Sequence, residues 1–393
     1  MPPTSPTSGP SRRGVLALGS AAALLPLVPT EAQAAPAASA PAGEPLRIGA
    51  LFDLSGPARI QGRRQLLGVR FTARHLNRLH GEHIELIEVD TRGDAAHARA
   101  AAERLVRNSH LHALVGTSQP EGAAQVAAVG QAARVPVVMP TTGGQPTQSY
   151  VFRSAPQKKV TEQRMMEALA AGGHRRVAAL STEVSTTPPE VWERFAQDFR
   201  RHGLELVAHR EFTPPADNVR RVIEPLLRAR PDAIAVFAAP PYNGICVRDA
   251  RAAGWRGPMI CSPAAGHPGF PEIAGPAAVG VQVVAPHVLA ARQAPDTLPH
   301  AAELRRFADA FEAAHGAVGT YVAYGADAVT MIHQAYYGHR DRQRARLRLE
   351  HLTHVGVAGV HTMTKANHAP LTTSALTVVR WQPGGWVPDK TGN

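Results

Sequence analysis

One pattern constrains this chain more than any single residue: short apolar runs alternate with helical segments, and the alternation occurs twice. "RIGALFDL" reads as a strand opening into Ser55-Gly56-Pro57. Leu66 to Leu79 follows as a helix, with Leu67, Phe71 and Leu79 on a helical period. "IELIEVD" (Ile84–Asp90) alternates as a strand, and Ala95 to Val106 is alanine-rich with no breaker. "HALVG" (His112–Gly116), a helix from Glu121 to Ala133, and "VPVVMP" (Val135–Pro140) complete the set. Such a βαβαβαβ run predicts a parallel sheet covered on both faces. The pattern restarts at "RRVAALS" (Arg175–Ser181), with helices over 190–201, 219–230 and 242–254. The strands between and after those helices are 204–212, 232–238, 258–262 and 280–286. Each half is therefore read as a doubly wound unit. The last hundred residues give helices near 301–315, 323–337 and 342–352, then "GVHTM" and "ALTVVRW". A tail of this kind finishes one or both units. The chain's 393 residues, 44% apolar and 19% charged, agree with two globular lobes.

The N-terminus reads as an export signal. Ser11-Arg12-Arg13 precedes an apolar run from Val15 to Val28, and Ala32-Gln33-Ala34 offers small residues for cleavage. The paired arginines point to the twin-arginine route. The run falls short of the roughly 20 apolar residues a spanning helix needs. Residues 1–34 are thus expected to be the signal and 35–42 an Ala/Pro/Ser linker. The mature chain is expected in the periplasm or outside the cell.

The formal charge is +11, and without Arg12, Arg13 and Glu31 the balance is 40 basic to 30 acidic residues. The arginines are scattered and aromatics are only 5%, so no basic-aromatic interleaving suited to nucleic acid is present. An anionic ligand or anionic membrane face is a better use of the excess. Cys246 and Cys261 could bridge in an oxidising compartment or remain two buried thiols.

Enzyme motifs are missing. No G-x-G-x-x-G follows the first strand, no phosphate loop ends in Gly-Lys-Ser/Thr, and no G-x-S-x-G elbow occurs. The 19 histidines include the close pair in His80-Gly81-Glu82-His83, but no third ligand lies near it in sequence. No catalytic residue, metal or cofactor is expected. Asp53 and Asp90 end adjacent strands, and Asp90, within "DTRGD", is expected to cap the next turn or helix.

Open parallel sheets bind ligands beyond the carboxyl ends of their strands. The residues there are Ser55-Gly56 and later Gln61-Gly62, Thr117-Ser118-Gln119, Thr141-Thr142-Gly143, Thr182-Glu183, Pro241-Tyr242-Asn243 and Pro263-Ala264-Ala265. Hydroxyls, amides and glycines suit hydrogen bonding rather than chemistry, aided by helix N-termini that favour anions.

Six stretches, in order, carry a family likeness: "RIGALFDLSGP", "IELIEVDTRGDAAHARAAAERLV", "ALVGTSQPEGAAQVAAVGQAARVPVVMPTT", "YVFRSAP", "RDARAAGW" and "GVAGVHTMTKANHAPLTTSALTVVRWQPGGWVP". Over about Arg47 to Pro388 the chain resembles the periplasmic substrate-binding proteins of branched-chain amino-acid ABC transporters, the leucine/isoleucine/valine type. The resemblance implies two Rossmann-like lobes joined by three crossovers and closing on a solute. Lobe 1 would take 43–156 and 287–369, and lobe 2 would take 157–286 and 370–393. It implies delivery to a membrane permease with its ATPase, or signalling through a partner of another kind. An exported hydrolase is the alternative from a different class.

The ligand contacts expected from this resemblance are Ser118, Gln119, Thr141, Thr142 and Gly143 from lobe 1, with Glu183, Tyr242 and Asn243 from lobe 2. Tyr242 would supply an aromatic wall with a polar tip. Departures from the family pattern bear on the ligand. The acid common after "YVFRSAP" is replaced by Gln157-Lys158-Lys159, and Ala264-Ala265 stand where another is usual. The Tyr-Gly usual after "VAALSTE" is missing, and Glu183 is the one obvious substitute acid. A buried ammonium needs an anion or several acceptors. A plain aliphatic amino acid is therefore not the expected ligand; a small carboxylate or amide without a free ammonium is, with an amino-acid-like solute as the wider class.

Overall fold

The computed structural model describes residues 44–80, 83–108, 110–143, 146–182 and 189–390. The expected signal, the linker and Glu183 lie outside them. The first sheet is built from β1 (Leu46–Phe52), β2 (Ile84–Asp90), β3 (Ala113–Gly116), β4 (Val137–Met139) and β5 (Val151–Arg153), in the order β2-β1-β3-β4-β5. All its pairings are parallel. Helices α1 (Arg59–His80), α2 (Ala95–Asn108) and α3 (Pro120–Ala133) connect the first four strands. β1 is buried at six of its seven residues, because helices cover both of its faces and leave no side for polar alternation.

The chain then crosses to a second sheet. Its strands are β6 (Arg176–Thr182), β7 (Glu205–Phe212), β8 (Ala233–Phe237), β9 (Met259–Cys261) and β10 (Gln282–Pro286). Helices α4 (Lys158–Ala171), α5 (Pro189–Arg201), α6 (Arg220–Arg228), α7 (Tyr242–Ala252) and α8 (Gly269–Ala274) accompany them. After β10 the chain returns to the first sheet with α9 (Ala301–His315), α10 (Thr320–Tyr336), α11 (Arg342–Leu349) and the hairpin β11 (Thr353–Val355)–β12 (Val360–Thr362). A third crossing brings β13 (Leu376–Gln382) and β14 (Gly385–Pro388) to the second sheet, whose order is β14-β13-β10-β9-β8-β6-β7. β13 runs antiparallel to β10. The molecule is thus an α/β protein with two parallel-strand lobes. No described helix is long and apolar enough to cross a membrane.

α10 is buried along almost its whole length. Val329, Ile332, Ala335 and Tyr336 pack with Leu46, Ile48, Leu66 and Val69. It also lies tight against α1: a Cβ at Gly68 would fall 2.2 Å from the Val322 carbonyl oxygen, and one at Gly325 would fall 2.3 Å from that of Gln65. Only glycine permits this approach. The second core gathers around Val236, Met259, Val283 and Phe270, joined by both cysteines. Cys246 and Cys261 are buried free thiols, so of the two readings the structure shows the unbridged one.

Three differences from the sequence reading are informative. α1 begins at Arg59, seven residues before the expected Leu66, because its polar first turns pack on loops instead of on apolar core. α4 has no counterpart in the sequence reading. Its two lysines look like loop, while Met165, Met166, Ala168 and Leu169 are buried without a clean helical spacing. β5, β11 and β14 are three or four residues long, too short to show any period.

Candidate functional site: the strand-end rims

In each sheet the strand order reverses once, and a crevice forms at such a reversal outside the carboxyl ends. In the first sheet the reversal lies between β1 and β3. The Asp53 backbone N–H spans it, donating to Ser118 Oγ at 3.2 Å. In the second sheet it lies between β6 and β8. The residues after those two strands are Glu183 and the Tyr242-Asn243 pair.

The first rim is held from behind by α1. Gln61 Nε2 donates to the Ser118 carbonyl oxygen, and Gln65 Nε2, one turn on, donates to Pro140 O at 2.6 Å. Gly62 lies between them, and a Cβ there would meet Asp53 O at 2.1 Å and Ser118 Oγ at 2.7 Å. These three positions fix the loops after β3 and β4 to one helix.

Asp90 fixes the loop after β1. Its Oδ1 accepts N–H bonds from Leu54 (2.9 Å), Ser55 (3.2 Å) and Arg92 (2.9 Å), and its Oδ2 accepts the Ser55 hydroxyl at 2.6 Å. Those four bonds outweigh the opposing effect of burial and hold its carboxyl down to about 2. The expected turn cap is present. The cap on α2 is Asp94 instead, whose Oδ1 takes the His97 N–H at 2.5 Å. Asp53 is also buried. Burial raises its pKa, against Thr91 Oγ1 and the Gly93 N–H, which both donate to Oδ1. Its Oδ2 has no partner among the described residues.

The expected contact residues of the first lobe lie together on this rim. Ser118 and Thr141 are fully buried, and Thr141 Oγ1 donates to Ser118 O at 3.0 Å, which commits the threonine proton to the scaffold. Gln119 is the N-cap of α3 in extended conformation and makes no side-chain cap bond. The half-buried Thr142 hydroxyl has no hydrogen bond among the described residues. Gly143 pairs with Gln157, and its carbonyl accepts the Lys158 N–H at 2.9 Å, which ties the rim to the first crossing.

The same loop holds a residue that the site reading left out. Arg153, the last residue of β5, donates through Nη1 to Thr141 O. It is 6% exposed, and burial lowers its pKa to about 10. Its place in "YVFRSAP" was legible, but its inward orientation was not.

On the second rim, Tyr242 is half-buried and packs edge-on against Phe212 at 5.8 Å. Asn243 is fully buried. Its Oδ1 accepts the Gly244 N–H at 2.7 Å, and its Nδ2 has no partner among the described residues. The lobes touch where the Thr320 N–H, opening α10, donates to Gly266 O at 2.7 Å. Beside that contact His267 is 1% exposed, and its Nε2 has no partner among the described residues. Burial first, and the Arg64 charge second, push its pKa down to about 4. The first and third crossings are bonded to each other: Gln157 Nε2 donates to Ala369 O at 3.0 Å, and the Arg153 N–H donates to His368 O at 2.9 Å. Among the described residues no group of three or more His, Cys, Asp or Glu is arranged to hold a metal ion.

Each lobe thus presents hydrogen-bonding groups at its strand ends, and the first and third crossings between the lobes are bonded to each other. Comparisons with known proteins agree with this architecture. An extracellular ligand-binding receptor from Rhodopseudomonas palustris HaA2 superposes with a TM-score of 0.79 at 18% identity, over 88% of this chain and 100% of that one. The branched-chain amino acid transporter substrate binding protein LivJ from Streptococcus pneumoniae, in complex with isoleucine, gives 0.75 at 20% identity, over 89% and 97%. A solute binding protein of an ABC transporter from R. palustris, in complex with benzoate, gives 0.73 at 19% identity, over 88% and 95%. No curated protein matches the sequence. The profile of one family spans nearly everything after the N-terminal segment, residues 45–386, and on that match the chain belongs to the periplasmic binding protein family.

Proposed function

We propose that this chain is the exported solute receptor of an ABC transporter, which closes on a small carboxylate or amide and delivers it to a membrane permease and its ATPase. Residues 1–34 direct export by the twin-arginine route. The moving bodies are 43–156 with 287–369, and 157–286 with 370–393, and the pairing of β13 with β10 supports this division. The three crossings form the hinge, as in other two-lobed closures. Ser118, Gln119, Thr141, Thr142 and Gly143 form one jaw, and Glu183, Tyr242 and Asn243 the other.

The observation that carries the ligand class is the chemistry of the first rim. It offers hydroxyls, a free amide, the N-terminus of α3 and a buried guanidinium. Those groups donate to oxygen. An ammonium would instead need an ionised acid there; Asp53 spends Oδ1 on Thr91 and Gly93, and although its Oδ2 has no partner among the described residues, burial raises its pKa and disfavours the charged form an ammonium needs. Neighbours of this fold were solved with isoleucine and with benzoate; both carry a carboxylate that such donors suit, and of the two only benzoate lacks an ammonium.

A thermal-shift screen of carboxylates, their amides and aliphatic amino acids tests the reading. Ligand at about 100 times its Kd adds about 2.7 kcal/mol to stability. A carboxylate or amide without an ammonium should give the largest shift. Leucine, isoleucine or valine in first place would refute it.

A further inference from the structure

Arg153 is the one arginine that is buried among the described residues. Two other inward-leaning arginines have acids: Arg346 pairs with Glu350 at 3.0 Å and Arg380 with Asp389 at 2.6 Å. Arg153 has none among the described residues. Its Nη1 donates to Thr141 O, and its Nε is buried with no partner among the described residues. A Cβ at Gly143 would lie 2.8 Å from Nη2 and 3.1 Å from Nη1 and Cζ, so the guanidinium packs closely against Gly143 while it bonds the Thr141 carbonyl. Holding one carbonyl needs one neutral donor. A planar cation with five N–H groups, desolvated and left without a counter-ion, is far more than that task requires. An unpaired buried charge is strongly destabilising unless a partner arrives. It lies against the loop that carries Thr142, whose hydroxyl has no hydrogen bond among the described residues, and that loop is bonded to the first crossing through Gly143.

We infer that Arg153 is the specificity-determining residue of the cleft: its guanidinium, held against Thr141–Gly143 without an acid of its own, supplies the charge that selects a carboxylate over its neutral amide. This rests on the proposed solute-receptor function. The ligand's anion completes an ion pair that the fold leaves half-made. Charge-assisted bonds of this kind are shorter and about twice as strong as neutral ones.

The test uses paired probes, benzoate with benzamide and 3-methylbutanoate with 3-methylbutanamide, titrated calorimetrically into the mature wild-type chain, R153Q and R153K. Circular dichroism checks each fold. Wild type should prefer each carboxylate it binds by about tenfold or more. R153Q retains a donor for Thr141 O and loses the charge, so its preference should fall to within about twofold while amide affinity holds. R153K retains the charge without the planar fork and should still favour the carboxylate. A wild-type preference ratio in R153Q overturns the inference and leaves the receptor reading intact. If R153Q does not fold, R153K decides: a ratio of one with the charge retained overturns it. If no probe binds wild type, the carboxylate reading of the receptor falls, and the inference with it.

Discussion

The contact between α1 and α10 can be tested by adding one methyl group. In Gly325→Ala the new Cβ would start 2.3 Å from the Gln65 carbonyl oxygen, whereas real Cβ contacts essentially never fall below 3.0 Å. The atom in the way is backbone, so no rotamer relieves it. The helices must part by roughly 1 Å at a crossing packed to crystal density. Overpacking of this kind costs about 1–3 kcal/mol, and occasionally more. A rigid backbone obstruction puts the cost at the upper end, about 3 kcal/mol, and alanine recovers about 1 kcal/mol of helix propensity, so the net loss should be about 2 kcal/mol. Gly173→Ala is the control. Gly173 has φ +79° and nothing within 4 Å of its Cβ position, so only backbone strain of about 1 kcal/mol applies. Urea unfolding monitored by tryptophan fluorescence would measure both. Because Gln61 and Gln65 hold the rim from α1, the Gly325 variant should also weaken ligand binding, and the Gly173 variant should not. A Gly325→Ala chain within about 0.5 kcal/mol of wild type would refute the reasoning, since it would mean the helices have room that the geometry denies.

Three further outcomes follow from the same structure. His267 is held neutral with a folded pKa of about 4, below its unfolded value of about 6.5, so its contribution is whole above pH 6.5 and lost as pH falls towards 4. That loss is about 3 kcal/mol, and His267→Gln should flatten urea-unfolding stability between pH 6.5 and 4; an unchanged slope would contradict its burial. Asp90→Ala leaves three backbone N–H groups without their acceptor and should cost about 2 kcal/mol, with faster protease cleavage near Leu54–Gly56 as the second readout. Both cysteines are fully buried, and burial raises their thiol pKa values, so a thiol reagent should find none in the native chain and two after denaturation; none after denaturation would mean they are bridged.

Much of the lobe architecture was legible because strands buried on both faces carry continuous apolar runs, as in β1 and β8. The breaks at Ser55-Gly56 and after "HALVG" located the loops of the first rim. What escaped was anything whose signal is tertiary. Gln65 looks like a surface residue and is internal because a loop, not solvent, receives its amide; Gln61 stood among the strand-end residues, but its donation to the Ser118 carbonyl was not legible. Thr141 looked like a free hydroxyl, and its proton is taken by Ser118 O. Arg153 sat in a quoted motif, yet nothing in its neighbours along the chain says that its side chain is desolvated or that no acid faces it.

The sequence by itself determined the two parallel-strand units, since the alternation of apolar runs and helical periods is local and survives any arrangement in space. The tertiary structure alone decided which polar groups face inward, which are already spent on one another, and where a charge is left unmatched. Hydrogen bonds such as Asp53 to Ser118, 65 positions apart, and Gln65 to Pro140, 75 apart, join groups that share no neighbourhood along the chain. A donor's availability depends on what lies opposite it in space, and the order of residues does not contain that information.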